Sequence, residues 1–377
     1  MTRCDLDTFG LSQERGFLPL TDPLVALPQS AFSAWEDLAG RIPKYLAGMS
    51  LRRAVQTLPE FRAELLSNDA ELKRAMVILS FIGQAYVFGE QPIADRIPAV
   101  LAKPWYDVAK KLGRPPVLSY ESFILDNWQR IDPNGPIAIG NLVTLQNFVG
   151  GLDEEWLSIV LVDIEAKTAQ ALSAVANGRA AVLGANDDEL LAALQALHKA
   201  LAAMLSSLIR LTDFSEPSIY VQRVRPYLAG WKNNPALPNG LIYEGVAELG
   251  GVGQTHLGYT GVCAGSIMAI EGFLGMDSRD EPLASYLLES RAYMSPQHRW
   301  FVEAAEAGPV TREYVALRPF AEGLSDSFSE CVSAMGRIRA KQQELLSAYI
   351  PSELQESKST VNRSDVAVSS KLVLAAR

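Results

Sequence analysis

"NDDELLAALQALHKALAAMLSSLIRLTDF" occupies residues 186–214. It opens on acidic residues, which suit the positive end of a helix dipole. Apolar residues then recur at Leu191, Leu194, Leu197, Leu201, Met204 and Leu208, in steps of three or four. That period marks an amphipathic helix. The preceding stretch, "DEEWLSIVLVDIEAKTAQALSAVANG" (153–178), starts in the same acidic way, and its Asn-Gly pair is expected to close it. Working back, "EFRAELLSNDAELKRAMVILSFIGQAYVFGE" (60–90) carries the helical period with an expected break at Ser67–Asn68–Asp69. Residues 17–60 are rich in Pro and aromatics and are expected to start irregularly, with a helix near 30–47. "RPPVLSYESFILDNW" (114–128) begins on a Pro pair that sets an extended lead-in.

Working forward, "IYVQRVRPYLAGW" leads to a Gly-rich loop at 245–265, and helices resume to about 350. The last of them, which includes "MGRIRAKQQELLSAYI" (335–350), has an apolar seam through Leu324, Phe328, Val332, Met335, Ile338, Leu345 and Tyr349. The seam has one gap, and Gln342 fills it. Strand signals are few and short, and no internal repeat is visible. The class is all-α. "DPNGP" (132–136) is a strong turn signal, and it divides the chain into a smaller N-terminal domain, 1–131, and a larger helical domain, 132–350, that holds the ligand pocket. Residues 351–377 are largely polar and are expected to form a mobile tail.

Bulk composition narrows the function. The chain has 377 residues, 48% of them apolar and 20% charged, with a formal charge of -9. An acidic chain with no basic run is a poor partner for nucleic acid or an anionic membrane. The stretch at 75–89 is too short to cross a bilayer, and the N-terminus shows no apolar signal region. Cys4, Cys263 and Cys331 are odd in number and far apart, which points to a reducing, cytoplasmic setting. The histidines, His198, His256 and His298, have no zinc-site spacing. A monomer is expected.

Four features could carry chemistry. The loop "GVAELGGVGQTHLGYTGVCAG" is rich in glycine. "GGVGQT" lacks the Lys-Ser/Thr ending of a phosphate loop, so the loop is either a surface connection or a backbone that approaches a flat ligand closely. His256, within it, is the one histidine placed where a ligand is expected to reach; His198 and His298 read as structural. Arg223 and Arg225 lie among Tyr220, Val224, Tyr227 and Trp231, where an arginine clamps a carboxylate or joins an interhelical ion pair. Gln342, if buried, needs a partner, because an unpaired buried amide costs about 1–3 kcal/mol. That partner is an ion-pair network, a water or a ligand.

The order of "GFLP", "AYVFGE", "IPAVLAKPWYDVAKKLGRPPVLSYESFILDNW", "DPNGPIAIGNL", "RPYLAGWKNNPALPNGLIYEG" and "YMSPQHRWF", followed by the terminal helix, resembles the indoleamine 2,3-dioxygenase family. The likeness runs from about residue 16 to 350. It implies an all-α fold with a b-type haem between the two domains, and insertion of O₂ across the C2–C3 bond of an indole such as tryptophan. The family's carboxylate-binding arginine matches Arg225, and its distal aromatic pair matches Tyr220 and Val221. Its loop over the haem matches Thr260–Gly261. A distal serine matches Ile159, and a distal phenylalanine matches Glu155. The family's acidic residue near the haem matches Glu271, and the arginine partner on the last helix matches Arg339.

The family's axial haem histidine matches Gln342, and no histidine lies elsewhere in the terminal helix. A carboxamide is not a basic nitrogen donor, so the resemblance implies a haem pocket altered on its proximal side. Lys341, Glu344 or a water are the remaining ligands for iron there, and His256 is the other imidazole to consider. Three functions follow: a haem oxygenase on tryptophan or a related indole or aryl amino acid; a haem-free enzyme in which Arg225 binds the carboxylate and Glu155 is the general acid or base; and a non-catalytic protein that binds an aromatic ligand.

Overall fold

The computed structural model describes residues 6–259, 265–276, 281–307 and 310–349. The expected tail lies outside them. The N-terminal helices are α1 (Ser33–Gly40), α2 (Ile42–Ala47), α3 (Leu51–Val55), α4 (Asp69–Phe88) and α5 (Ala99–Lys111). Then come α6 (Leu152–Leu183), α7 (Asp187–Ile209), a single turn α8 (Pro217–Ile219), α9 (Gly265–Leu274), α10 (Glu281–Ser290), α11 (Pro296–Glu306), α12 (Thr311–Ala316) and α13 (Leu324–Tyr349). Strands are confined, among the described residues, to two short pairs. β1 (Arg96–Ile97) runs parallel to β4 (Ile242–Tyr243), and β2 (Trp128–Arg130) runs antiparallel to β3 (Leu142–Thr144). The all-α class holds.

Local chemistry explains the helix boundaries. Asn68 caps α4 by accepting the Glu71 N–H at 3.0 Å. Asn186 caps α7 by accepting the Glu189 N–H at 3.1 Å. Each side chain satisfies a donor that the first helical turn leaves without a partner. The helix expected near 30–47 is divided at Arg41, with Pro43 in the first turn of α2. α4 is buried on nearly every side and forms the centre of the N-terminal half.

α6 departs from expectation. It runs through Asn177-Gly178 and ends at Leu183. Gly178 is buried, and a Cβ there would lie 2.4 Å from Cζ of Phe273. The glycine admits the α9 ring; it does not end the helix. The connection from α6 to α7 is short, so the two helices pack as antiparallel neighbours. α7 also packs along α13, and Cys331 of α13 donates its thiol to the Leu194 carbonyl at 3.1 Å. The segment Asp187–Thr212 is long and apolar enough to cross a membrane, but here it is a packed helix between α6 and α13.

One contiguous apolar cluster reaches from Leu6 to Tyr349. The "DPNGP" turn forms as expected, with Gly135 N–H donating to the Asp132 carbonyl at 3.0 Å. The boundary expected between residues 131 and 132 therefore falls inside the β2–β3 hairpin, where Ile131 N–H bonds the Asn141 carbonyl across it.

Candidate ligand site

α8 continues into a π-helical turn, Tyr220–Val224, and then a 3₁₀ turn, Arg225–Leu228. Pro226 lacks an N–H, and the chain becomes extended at Ala229. The segment is therefore a series of three different turns. π turns occur often at functional sites. Arg225 sits at the junction. It is half-buried, Nη1 is buried without a hydrogen-bond partner, and no carboxylate lies within ion-pair distance among the described residues. Arg223, two residues earlier, is exposed. Tyr220 is buried near Arg225, and burial pushes its phenol pKa up. Its ring meets Tyr349 edge-on, with centroids 5.5 Å apart. The end of α13 thus closes over the arginine segment.

The seam residues of α13 are buried as expected, with Met335 at 0% and Ile338 at 2% exposure. Gln342 differs from expectation. It is half-buried, so solvent reaches it, and it has no hydrogen-bond partner among the described residues. One turn earlier, Arg339 Nε donates to Glu271 Oε1 at 2.6 Å, which joins α13 to α9. Arg339 Nη2 remains buried without a partner, as does the amide nitrogen of Gln343. Lys341 and Glu344 bind each other at 2.7 Å.

Over residues 5–374 the chain matches the family described as "Indoleamine 2,3-dioxygenase". It belongs to that family. It is 31% identical over 358 residues to human indoleamine 2,3-dioxygenase 2, covering 94% of this chain and 86% of the relative. It is 33% identical to rat indoleamine 2,3-dioxygenase 1, covering 92% and 84%. A 6-hydroxytryptophan 2,3-dioxygenase of Fusarium equiseti is 30% identical, with 92% and 85% covered.

Within this indoleamine 2,3-dioxygenase fold, the other residues matched by the resemblance have the following surroundings. Thr260 and Gly261 lie outside the described residues. Ile159 is buried on α6. Glu155 is half-buried, and its Oε1 accepts the Thr144 N–H at 3.2 Å. That contact ties α6 to β3 and gives no support to an acid–base role. α6 buries three carboxylates, Glu154, Asp163 and Glu165; Glu165 escapes notice in the sequence because it looks like one more polar position in a long helix. Glu165 accepts from Tyr120 Oη at 2.8 Å, Ser266 Oγ at 3.1 Å and Thr168 Oγ1 at 3.3 Å. Burial pushes its pKa up against those bonds.

The glycine loop approaches protein backbone. A Cβ on Gly253 would lie 1.9 Å from the Asn239 carbonyl oxygen, and one on Gly258 would lie 2.3 Å from the Gly230 nitrogen. Gly258 lets the loop pair with the chain that follows the arginine segment: Trp231 and Lys232 donate to the His256 carbonyl, and Tyr259 N–H to the Leu228 carbonyl. The ring of His256 meets the edges of Tyr243 and Tyr293, and burial pulls its pKa down to about 4. No group of three His, Cys, Asp or Glu side chains is arranged to hold a metal among the described residues, so His256 has no companion ligands there. His198 is beside Glu330 on the α7–α13 contact, at 3.4 Å. Residue 330 precedes Gln342 by twelve residues, or about 18 Å along a helix. His298 Nδ1 lies 2.9 Å from Glu121 Oε1, and both line a cavity of about 30 Å³ with Phe17, Ser119 and Tyr120. That volume suits one or two waters.

Proposed function

We propose that this chain is an indoleamine 2,3-dioxygenase-like protein whose ligand is tryptophan or a related indole amino acid, held by its carboxylate at Arg225. The observation that carries this reading is the buried, unpartnered Nη1 of Arg225. A guanidinium half out of water with no acidic neighbour favours an incoming carboxylate, and the planar fork accepts it bidentately. Tyr220, buried beside it, supplies an aromatic wall. The names of the relatives, which include a 6-hydroxytryptophan dioxygenase, support the same ligand class.

Haem is the group that the family brings into question. Arg339 Nη2 and Gln343 Nε2 are buried donors without acceptors, and they suit the carboxylates at a porphyrin edge. The iron is a different matter. The family's axial histidine is matched by Gln342, whose amide nitrogen has no basic lone pair and whose oxygen is a weak ligand. The residues therefore do not fit a histidine-ligated haem, and no reaction step is assigned to one. This misfit favours a second reading, a haem-free enzyme or aromatic-ligand binder.

Titration with tryptophan and with tryptamine tests the carboxylate claim. Tryptophan is expected to bind at least about tenfold more tightly, the scale of one charge-assisted hydrogen bond. Equal affinities would overturn it. Oxygen uptake with tryptophan after hemin addition separates the oxygenase from the haem-free protein. Retained tryptophan binding with no uptake decides for the latter.

A further inference from the structure

The π turn decides which side chains stand together at the arginine segment. Arg225 N–H donates to the Tyr220 carbonyl, five residues back, where an α-helix would use Val221. In an α-helix, residues five apart point about 140° away from each other. The π turn closes its hydrogen bond over that interval and brings Tyr220 and Arg225 to one side, where the guanidinium charge acts on the phenol. Both residues carry a donor without a partner. Arg225 Nη1 is buried with none. Tyr220 is 7% exposed, and its hydroxyl makes no hydrogen bond among the described residues.

Buried phenols usually find an acceptor. Tyr120 donates to Glu165, Tyr243 to the Pro116 carbonyl and Tyr349 to the Ser215 carbonyl. Glu154 is the carboxylate whose charge bears on the Tyr220 phenol, but its oxygens take the N–H groups of Phe148, Val149 and Gly150. Burial also keeps the phenol protonated, so it is a hydrogen-bond donor at any working pH. A neutral donor and a cationic one therefore share a corner with no acceptor of their own.

We propose that Tyr220 is a specificity-determining residue whose hydroxyl donates to the ligand carboxylate held by Arg225. The proposal rests on the carboxylate reading of Arg225 and adds to it a second anchor. A carboxylate has lone pairs enough for both groups. The extra residue of the π turn is then what assembles the clamp, and Val221 has no part in it.

Tyr220→Phe tests this on the full chain, by titration with tryptophan and with tryptamine. Phenylalanine keeps the ring against Tyr349 and removes a hydroxyl that no protein group uses. Tryptophan should bind about tenfold more weakly, the scale of a hydrogen bond to a charged group, and tryptamine within about twofold of wild type. The double variant Tyr220→Phe, Val221→Tyr returns a hydroxyl to the place an α-helix would give it. Its tryptophan affinity should stay at the weakened level. Unchanged tryptophan binding by Tyr220→Phe, an equal loss of tryptamine, or recovery in the double variant would each overturn the proposal and leave the Arg225 reading standing. Equal binding of tryptophan and tryptamine by the unaltered chain would remove that reading first, and the Tyr220 anchor with it.

Discussion

His298 Nδ1 meets Glu121 Oε1 at 2.9 Å inside the protein, where Ser295 N–H also donates to that oxygen and Arg114 stands 3.7 Å from Oε2. Burial alone would push the Glu121 carboxyl up. The His298 ring, Arg114 and the Ser295 amide outweigh it and hold the pKa down, at about 2. The contact joins a π turn, Glu121–Leu125, to the first turn of α11, and Phe17 stacks on the same ring at 4.5 Å. Three distant parts of the chain therefore depend on one carboxylate.

Glu121→Gln should destabilise the protein by about 3 kcal/mol at pH 7, since a shift of one pKa unit corresponds to about 1.4 kcal/mol. A carboxyl that is more acidic when folded adds stability above its ordinary pKa and loses it as pH falls through the folded value. The gap between wild type and variant should be full above about pH 4.5 and close toward pH 2. Asp126 and Glu165, whose pKa values are pushed up by burial, act in the opposite sense, so the difference between the two proteins is the quantity to follow. Urea unfolding of both at pH 7, 4 and 3 measures it. A gap that stays constant with pH would refute the charge-based account.

The helices were legible where local signals agreed. Asn68 and Asn186 stand before acidic first turns and apolar stripes, and both cap helices. Asn177-Gly178 gave the wrong sign because its glycine serves a ring on a helix about a hundred residues away, and sequence carries no trace of that partner. The π and 3₁₀ turns at 220–228 were hidden for a related reason: apolar periodicity cannot distinguish three kinds of turn over nine residues. At the site, the pairing of Arg339 with Glu271 was legible from the family resemblance, and the distance bears it out. Glu165 was not legible, because its hydroxyl partners lie 45 and 101 residues away in the chain.

His256 offers a second pH handle. A buried imidazole with a pKa near 4 is neutral in the folded chain, while the unfolded chain protonates it near its usual 6.5. Its contribution to stability is whole above about pH 6.5 and falls away toward pH 4, by about 3 kcal/mol. Nuclear magnetic resonance titration of the ring should give a midpoint near 4. His256→Phe, which keeps an aromatic ring between Tyr243 and Tyr293, should flatten the stability curve over that interval. A midpoint close to 6.5 would mean that the ring is well solvated.

Gly178→Ala makes a prediction against helix propensity. Alanine in a helix interior is worth about 1 kcal/mol more than glycine. Here its Cβ would enter the Phe273 ring, which is 2% exposed and packed in the core. Overpacking of that kind costs about 1–3 kcal/mol, so the variant should be less stable than wild type. The double variant Gly178→Ala, Phe273→Leu should recover part of the loss relative to the sum of the two single changes. Thermal unfolding of the four proteins completes the cycle. Strict additivity would show that the two residues do not meet.

Arg225 separates charge from geometry. Alanine removes both, and binding of tryptophan should fall by about 2 kcal/mol, within the range for a charge-assisted hydrogen bond. Lysine keeps the charge but offers a point donor where the guanidinium offers a planar fork. Arg225→Lys should therefore fall between wild type and alanine. Tryptamine, which lacks the carboxylate, should bind all three proteins equally. If the alanine variant lost tryptamine as severely as tryptophan, Arg225 would be shaping the pocket through Tyr220 and the π turn, and the carboxylate assignment would fail.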